Sequence, residues 1–250
     1  MTGWVAIAGL GPGAEDLVTP EVRTAMAEAT DAVGYIPYVR RVPERPGLTR
    51  HETDNREEIQ RARHALEMAA EGRRVLVASS GDPGVFAMAA AVFEAVEQGP
   101  EAWRALDIRV LPGVTAMLAA AARAGAPLGH DFCAINLSDN LKPWPVIERR
   151  LLAAIAGDFA MAFYNPRSKA RPEGFGRALR VLRAGCEPGR VVIFARAVST
   201  PDERLTVTTL SEATDEMADM RTMVIVGSSA TRVVPRDGTP WVYTPRSAEA

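Results

Sequence analysis

The chain has 250 residues, of which 47% are hydrophobic and 24% charged, with a formal net charge of −2. That length is enough for one large or two modest domains with real cores, and the near-neutral charge removes the electrostatic case for nucleic-acid binding. No apolar run is long enough to span a bilayer, and no basic segment followed by an apolar stretch opens the chain. No membrane span is therefore expected, and the cytoplasm is the expected compartment. Cys133 and Cys186 lack metal-ligand spacing; Cys133, in an apolar run, reads as a small buried hydrophobe, and no metal is expected.

Trp4 to Gly9 reads as a first strand running into Gly9-Leu-Gly-Pro-Gly13. Gly9, Gly11 and Ala14 match a dinucleotide fingerprint literally, but Pro12 interrupts where that motif opens its helix. The helix signal comes later, at Thr19-Pro20-Glu21, a cap residue followed by proline at the first helical position. Val22, Ala25, Met26 and Ala29 then recur at helical spacing. A second strand, Ala32 to Ile36, has Tyr35 near its end and Tyr38, Arg40 and Arg41 after it, which suit either a flat anionic ligand or a solvated loop. Pro43 to Arg50 reads as a connector. Arg56 to Glu71 is expected to be a helix with Ile59, Ala62, Leu66 and Ala69 inward and Gly72 as its stop. His51 and His64 have no evident function.

Val75 to Ala78 is a continuous apolar run, as in a strand covered on both faces. It ends on Ser79-Ser-Gly-Asp-Pro-Gly84, where glycines let backbone approach a ligand closely. A helix is expected from Phe86 to Gln98, a strand from Asp107 to Leu111, and an alanine-rich helix from Val114 to Ala124 after Pro112-Gly113. Gly125-Ala-Pro-Leu-Gly129 reads as a boundary between domains 1–125 and 126–250.

The second half restarts the alternation. Strands are expected at Phe132 to Leu137, Phe159 to Tyr164, Arg190 to Ala195, Leu205 to Leu210 and Met223 to Gly227. The fourth is rich in Thr and Val, as an antiparallel partner would be. Helices are expected from Pro145 to Gly157, over about 174–184, and from Ser211 to Ala218 with Ser211 as its cap. Polar loops follow strands in both halves, so the fold class is α/β, and a cleft between two such domains is a preferred ligand site.

Four motifs in order resemble the tetrapyrrole methyltransferases that use S-adenosyl-L-methionine. They are Gly9-Leu-Gly-Pro-Gly13 with Thr19-Pro20, Ser80-Gly-Asp-Pro83, Pro112-Gly-Val-Thr-Ala116 and Gly125-Ala-Pro-Leu128. Further stretches are similar to the branch of the cobalamin pathway that methylates a precorrin at C17. These are His130 to Asp139, Lys142-Pro-Trp144, Val146 to Arg150 and Phe163-Tyr-Asn-Pro-Arg-Ser-Lys169, with Tyr35 in Gly34-Tyr-Ile-Pro-Tyr38. The resemblance implies a homodimer of two-domain subunits, with a mainly parallel sheet in the first domain and a mixed sheet in the second. It also implies a cofactor in the cleft between the domains.

By motif, the resemblance assigns Pro12, Ser80, Gly81, Asp82, Val85, Thr115, Ala116, Asn165 and Ala197 to the cofactor. Ile36 stands about where uroporphyrinogen methyltransferases carry a catalytic aspartate, Asn165 where they carry methionine, and Ala197 replaces a usual glycine. The implied reaction couples methylation at C17 to ring contraction, which needs a base near the substrate and room for an acid. Asp139, His130 and Tyr164 are candidates by loop position. The precorrin is rich in carboxylates, so Arg40, Arg41, Lys142, Arg167, Lys169 and Arg171 are candidate clamps, with Tyr35 beside the ring. Three other classes remain to be distinguished: a nicotinamide-dependent oxidoreductase, a ribosomal RNA ribose methyltransferase, which the charge disfavours, and a non-catalytic binding protein. A cobalt-containing substrate is a further alternative.

Overall fold

The computed structural model describes residues 3–54 and 57–247. The chain divides into two compact units, Met1–Thr115 and Ala116–Ala250. The first contains β1 (Trp4–Gly9), α1 (Pro20–Glu28), β2 (Asp31–Tyr35), α2 (Ile36–Val39), β3 (Thr49–Thr53), α3 (Glu58–Ala70), β4 (Arg74–Ser79), α4 (Met88–Gln98) and β5 (Asp107–Leu111). The second contains α5 (Ala116–Ala124), β6 (Gly125–Ala126), β7 (Phe132–Asn136), α6 (Trp144–Ala156), β8 (Ala160–Tyr164), α7 (Gly174–Gly185), β9 (Val191–Arg196), β10 (Arg204–Thr209), β11 (Thr222–Val226), β12 (Arg232–Val234) and β13 (Trp241–Tyr243).

The first unit is one five-stranded sheet in the order β3-β2-β4-β1-β5, parallel throughout. Its central strands are apolar on both faces because helices cover both. Val5, Ile7, Val75 and Val77 face α3 and α4. Trp4, Ala6, Ala8, Leu76 and Ala78 face Val22 and Ala25 of α1 and Val39 of α2. Thr19 caps α1, its Oγ1 accepting from Val22 N at 3.3 Å, with Pro20 at the first turn. The helix expected from Arg56 begins at Glu58 among the described residues, and Arg56 lies outside them. The helix expected from Phe86 starts at Met88, because Phe86 takes a left-handed φ of +52° that no helix tolerates. Strand β3, Thr-Arg-His-Glu-Thr, replaces part of the expected connector; as an edge strand it needs no apolar face.

The second unit has a five-stranded sheet in the order β10-β9-β11-β8-β7 and a three-stranded one in the order β12-β13-β6. Strands β7 and β8 are parallel and the remaining pairs of the larger sheet antiparallel, so that sheet is mixed. Met161, Phe163, Val192, Phe194 and Val224 pack against α6 and α7. Ala162, Ile193, Ala195 and Ile225 pack against Met117, Ala120 and Ala124 of α5. Helix α5, which sequence reading groups with the first half, thus lies on the second sheet. The helix expected from Ser211 is replaced by a single 3-10 turn at Asp215–Met217. Ser211 instead hydrogen-bonds Thr209 Oγ1 at 2.9 Å, and the segment is too short of regularly spaced apolar residues to pack as a helix.

Three glycines meet at the carboxyl edge of the first sheet. Gly9 ends β1, Gly81 follows β4 and Gly113 follows β5. A Cβ on Gly9 would lie 2.6 Å from Gly113 N and 2.8 Å from Gly81 O. A Cβ on Gly113 would collide with Gly81 O and lie 2.7 Å from Gly9 O. All these obstacles are backbone, which cannot turn aside as a flexible side chain can. Gly113→Ala should therefore cost about 1–3 kcal/mol in urea unfolding, whereas Gly189→Ala, where a Cβ meets nothing within 4 Å, should be near neutral. Equal losses at the two positions would contradict the packing argument.

Asp31, the first residue of β2, is buried. Burial alone would raise its carboxyl, but hydrogen bonds with His51 Nε2 (2.8 Å), Thr30 Oγ1 (2.8 Å) and Arg73 Nη1 (3.3 Å) hold it below the usual aspartate range. A depressed folded value gives stability that is complete above the unfolded pKa and lost as pH falls through the folded one. Acid titration of stability below pH ~4 should therefore be shallower in Asp31→Asn than in the wild type; superimposable acid limbs would contradict it.

Candidate active site

In the first unit β1 and β4 are neighbours whose following helices, α1 and α4, lie on opposite faces of the sheet. Their loops part at the carboxyl edge, the topological switch point where open α/β sheets take ligands. Here the parting loops are stitched together at one point. Gly11 N donates to Gly81 O at 3.1 Å and Gly81 N donates to Gly11 O at 3.0 Å. Both glycines take positive φ, +69° and +62°, which an L side chain would strain.

Two charged side chains secure this edge. Asp82 Oδ1 accepts from Gly84 N at 2.8 Å and Oδ2 from Gly113 N at 3.0 Å, tying the loop after β4 to the loop after β5. Pro83 sits in the same turn and removes one donor that would otherwise need a partner. Arg41 works on the other polarity. Its guanidinium donates to the carbonyls of Leu10 (2.6 Å), Gly11 (3.1 Å) and Gly13 (3.2 Å), on either side of Pro12. Sequence reading makes Arg41 a candidate substrate clamp; its position makes it a staple of the glycine loop. Arg40, beside it, forms a two-pronged surface pair with Glu52 at 2.9 and 2.8 Å.

Tyr35 and Tyr38 meet edge to face, with centroids 5.2 Å apart. Burial pushes the Tyr38 phenol up, against the influence of the nearby Ser80 hydroxyl. Arg61 of α3 is the residue of this region that sequence reading passes over. It is 2% exposed, with Nε on Thr53 Oγ1 at 2.6 Å and Nη2 on the Asp54 carbonyl at 2.5 Å, and burial lowers its guanidinium from the usual arginine value. Its signal is visible in retrospect: Arg61, Ala65 and Met68 fall at i, i+4 and i+7, a buried stripe with a charge in it. Val85 follows the same turn, its amide donating to Asp82 O at 3.2 Å. Thr115 is buried at the end of the first unit, and Ala116 opens α5 in the second.

In the second unit β8 and β9 both run antiparallel to β11, and β7 runs parallel to β8. The carboxyl ends of β7, β8 and β9 therefore share one sheet edge, which brings Asp139, Tyr164, Asn165 and Ala197 to the same side. Asn165 takes a φ of +51° and donates through Nδ2 to Asn136 Oδ1 at 3.2 Å, the same oxygen that accepts from Ser138 N at 2.9 Å. Asn136 is a link that sequence reading leaves unassigned. Ala197 takes a φ of +50°, its amide donating to Arg221 O at 2.8 Å.

Asp139 lies 4.0 Å from Arg171 Nε. Lys142 Nζ donates to Ser138 O at 3.1 Å, and burial, with Arg150 nearby, lowers its ammonium from the usual lysine value. Arg167 donates to Pro172 O at 3.1 Å, and Lys169 is exposed. His130 is placed otherwise. It precedes β7, so the five residues of that strand, roughly 16 Å of chain, separate it from the edge that carries Asp139 and Tyr164. Its Nδ1 accepts from Asp131 N at 2.8 Å.

Among the described residues no helix is long and apolar enough to cross a membrane. A family model described as tetrapyrrole (corrin/porphyrin) methylases matches residues 5–214. The chain is 55% identical, over 98% of its length and 97% of the other's, to the precorrin-3B C(17)-methyltransferase of a Sinorhizobium species. It is 48% identical to the CobIJ protein of Mycobacterium tuberculosis, but spans only 48% of that protein's length. Among solved structures, that of the methyltransferase CobJ superimposes with a TM-score of 0.93 at 69% identity, covering 97% of this chain and all of that one. The uroporphyrin-III C-methyl transferase of Thermus thermophilus, complexed with S-adenyl homocysteine, shares the fold at a TM-score of 0.66 and 23% identity, covering 90% of this chain and 97% of the other. With its parallel and mixed sheets and a family match over most of its length, the chain belongs to the tetrapyrrole (corrin/porphyrin) methylases.

Proposed function

We propose that this protein is an S-adenosyl-L-methionine-dependent C-methyltransferase acting on precorrin-3B at C17, with contraction of the ring to precorrin-4 in cobalamin biosynthesis. The observation that carries the reading is the near-full-length likeness to a precorrin-3B C(17)-methyltransferase, joined to a glycine-lined carboxyl edge in the first unit. The same reading makes the protein a cytoplasmic homodimer.

The residues present fit the cofactor. At Gly9 and Gly113 neighbouring main chain occupies the place a Cβ would take, so the loops at this edge meet as bare backbone, which suits a ligand read by main-chain groups. Pro12, Ser80, Gly81, Asp82, Val85 and Thr115 are the proposed cofactor residues of the first unit. Ala116, Asn165 and Ala197 are those of the second. When bound, the sulfonium supplies an already activated methyl group. The protein's task is then positioning: holding donor and acceptor carbon at roughly 3–3.5 Å in line lowers the barrier without a strong protein electrophile. Arg41 and Asp82 serve this by fixing the loops, one through carbonyls and the other through amides.

The macrocycle's carboxylates call for cations with spare donors. Lys142 uses one of its three N–H groups on Ser138 O, and Arg167 and Lys169 lie on the loop after β8. Arg40 has its fork committed to Glu52, so its part in substrate binding requires exchange of that partner. Tyr35, at the end of β2, packs its ring edge to face on Tyr38. Ring contraction needs a proton acceptor, and Asp139 and Tyr164, on one sheet edge, are the proposed acid–base groups. His130, at the other edge, is the weaker candidate.

Incubating the protein with precorrin-3B and methyl-labelled S-adenosyl-L-methionine, then weighing the product, tests the function. The expected product has gained one labelled methyl and the contracted ring. Label transfer without contraction, or turnover only of a cobalt-bearing substrate, would contradict the assignment. Replacing Lys142 and Arg167 together by Ala should weaken precorrin binding at least about 10-fold, as loss of hydrogen bonds to charged groups implies, and leave S-adenosylhomocysteine binding unchanged. Wild-type precorrin affinity in the double variant would remove both residues from the substrate site.

A further inference from the structure

The carboxyl edge of the larger second-unit sheet holds two asparagines whose amide orientations are fixed by the main chain. Asn136 closes β7, and Asn165 follows β8, the strand paired parallel to it. Ser138 N donates to the Asn136 side chain at 2.9 Å. A backbone N–H can only donate, so the atom it meets must be the amide oxygen, Oδ1. The Asn165 side chain meets that same oxygen at 3.2 Å. An oxygen carrying no hydrogen can only accept, so the Asn165 atom is Nδ2. What is left over is the other end of each amide: Asn136 Nδ2, with two N–H groups, and Asn165 Oδ1.

Neither atom has a hydrogen-bond partner among the described residues. Neither is shut away from a ligand. The buried side-chain atoms that lack a partner are Arg45 Nε, Arg50 Nε and Ser199 Oγ; the two asparagines are half-buried, and their spare atoms reach solvent. The loop beyond Asn136 is also crowded with positive charge. Lys142 Nζ donates to Ser138 O at 3.1 Å, so Lys142 and Asn136 hold the two polar groups of one residue's main chain. Arg150 and Arg171 stand close enough to depress the Lys142 ammonium, while Asp139, 4.0 Å from Arg171 Nε, opposes them. Lys142, Arg150 and Arg171 against Asp139 leave an excess of positive charge. Such an excess repels itself in the free chain, and an anionic ligand relieves it.

We propose that Asn136 Nδ2 donates to a carboxylate oxygen of the tetrapyrrole beside Lys142, which makes Asn136 a substrate-specificity residue; this rests on the reading of the protein as a precorrin methyltransferase. The lysine supplies charge on a flexible stem, and the amide supplies direction. Two bonds to Oδ1 aim the N–H groups before the ligand arrives, which lowers the ordering cost of binding. Aspartate has nearly the same shape as asparagine. At this position it keeps an oxygen for Ser138 N and Asn165 Nδ2 and replaces the donor with a charged acceptor.

That near-identity of shape separates a ligand contact from a structural one. The full chain is titrated with precorrin-3B, without a methyl donor, and separately with S-adenosylhomocysteine; thermal unfolding without ligand reports stability. Asn136→Asp should melt at or above the wild-type temperature, because its added charge falls among cations. Its Kd for precorrin-3B should rise roughly 10- to 100-fold, the worth of a hydrogen bond to a charged group, with S-adenosylhomocysteine affinity unchanged. Asn136→Ala should weaken precorrin binding as well, but should melt lower than the wild type, since Ser138 N and Asn165 Nδ2 lose their acceptor. Wild-type precorrin affinity in Asn136→Asp would show a purely structural side chain and overturn the proposal. An equal loss of S-adenosylhomocysteine affinity would turn the donor toward the cofactor and overturn it too. A melting temperature in Asn136→Asp as low as in Asn136→Ala would contradict the assignment of the amide's two ends. Failure of the wild type itself to bind precorrin-3B would overturn the functional reading and this inference with it, and is told apart by needing no variant.

Discussion

The structure depends on backbone meeting backbone at the carboxyl ends of three adjacent strands. Gly9, Gly81 and Gly113 come together so closely that a Cβ on Gly9 or Gly113 would strike main-chain atoms of its neighbours. Because no side chain fills the space, the loops after β1, β4 and β5 run against one another as bare polypeptide. Such a contact has to be satisfied internally, since main-chain polar groups out of water need partners. The reciprocal bonds between Gly11 and Gly81 meet part of that need. Asp82 supplies acceptors to two amides, and Arg41 supplies donors to three carbonyls. A carboxylate and a guanidinium thus do complementary jobs on neighbouring loops.

The second unit meets a comparable requirement by another route. Its mixed sheet gathers the ends of β7, β8 and β9 on one edge, but the turns there are made by Asn165, Ala197 and Ser199 at positive φ rather than by glycine. Strain of this kind persists only where surrounding bonds over-determine the backbone. The bonds from Asn136, Arg221, Thr200 and Glu203 do so. In both units, side chains outside the turns hold the turns in shape.

Much of this was legible in the sequence because it rests on local rules. Thr19-Pro20 marked the start of α1, the apolar run at Val75 marked β4, and the Thr- and Val-rich stretch after Leu205 marked an antiparallel strand. The glycine, aspartate and proline content of Ser80 to Pro83 marked a ligand-facing turn. What escaped was set by tertiary context. Strand β3 has no apolar residue to announce it and exists because β2 offers it an edge. Ser211 looks like a cap, but no amphipathic face follows it. Arg61 sits in an apolar stripe as a charged residue, which reads as solvated until Thr53 and the Asp54 carbonyl are placed beside it. His130 and Asp139 are nine positions apart in sequence, and only the strand between them puts them on opposite edges. Positive φ at Ala197 and Ser199 leaves no mark in residue type, whereas at Gly11, Gly81 and Asn165 it does.

Hydrogen exchange with and without saturating S-adenosylhomocysteine tests the central claim most directly, because it reports on main-chain amides themselves. If a methyl donor is read by the bare backbone of the first unit, protection should rise at residues 9–13, 80–85 and 112–115. Saturated binding that leaves those three segments exchanging as in the free protein would contradict the account.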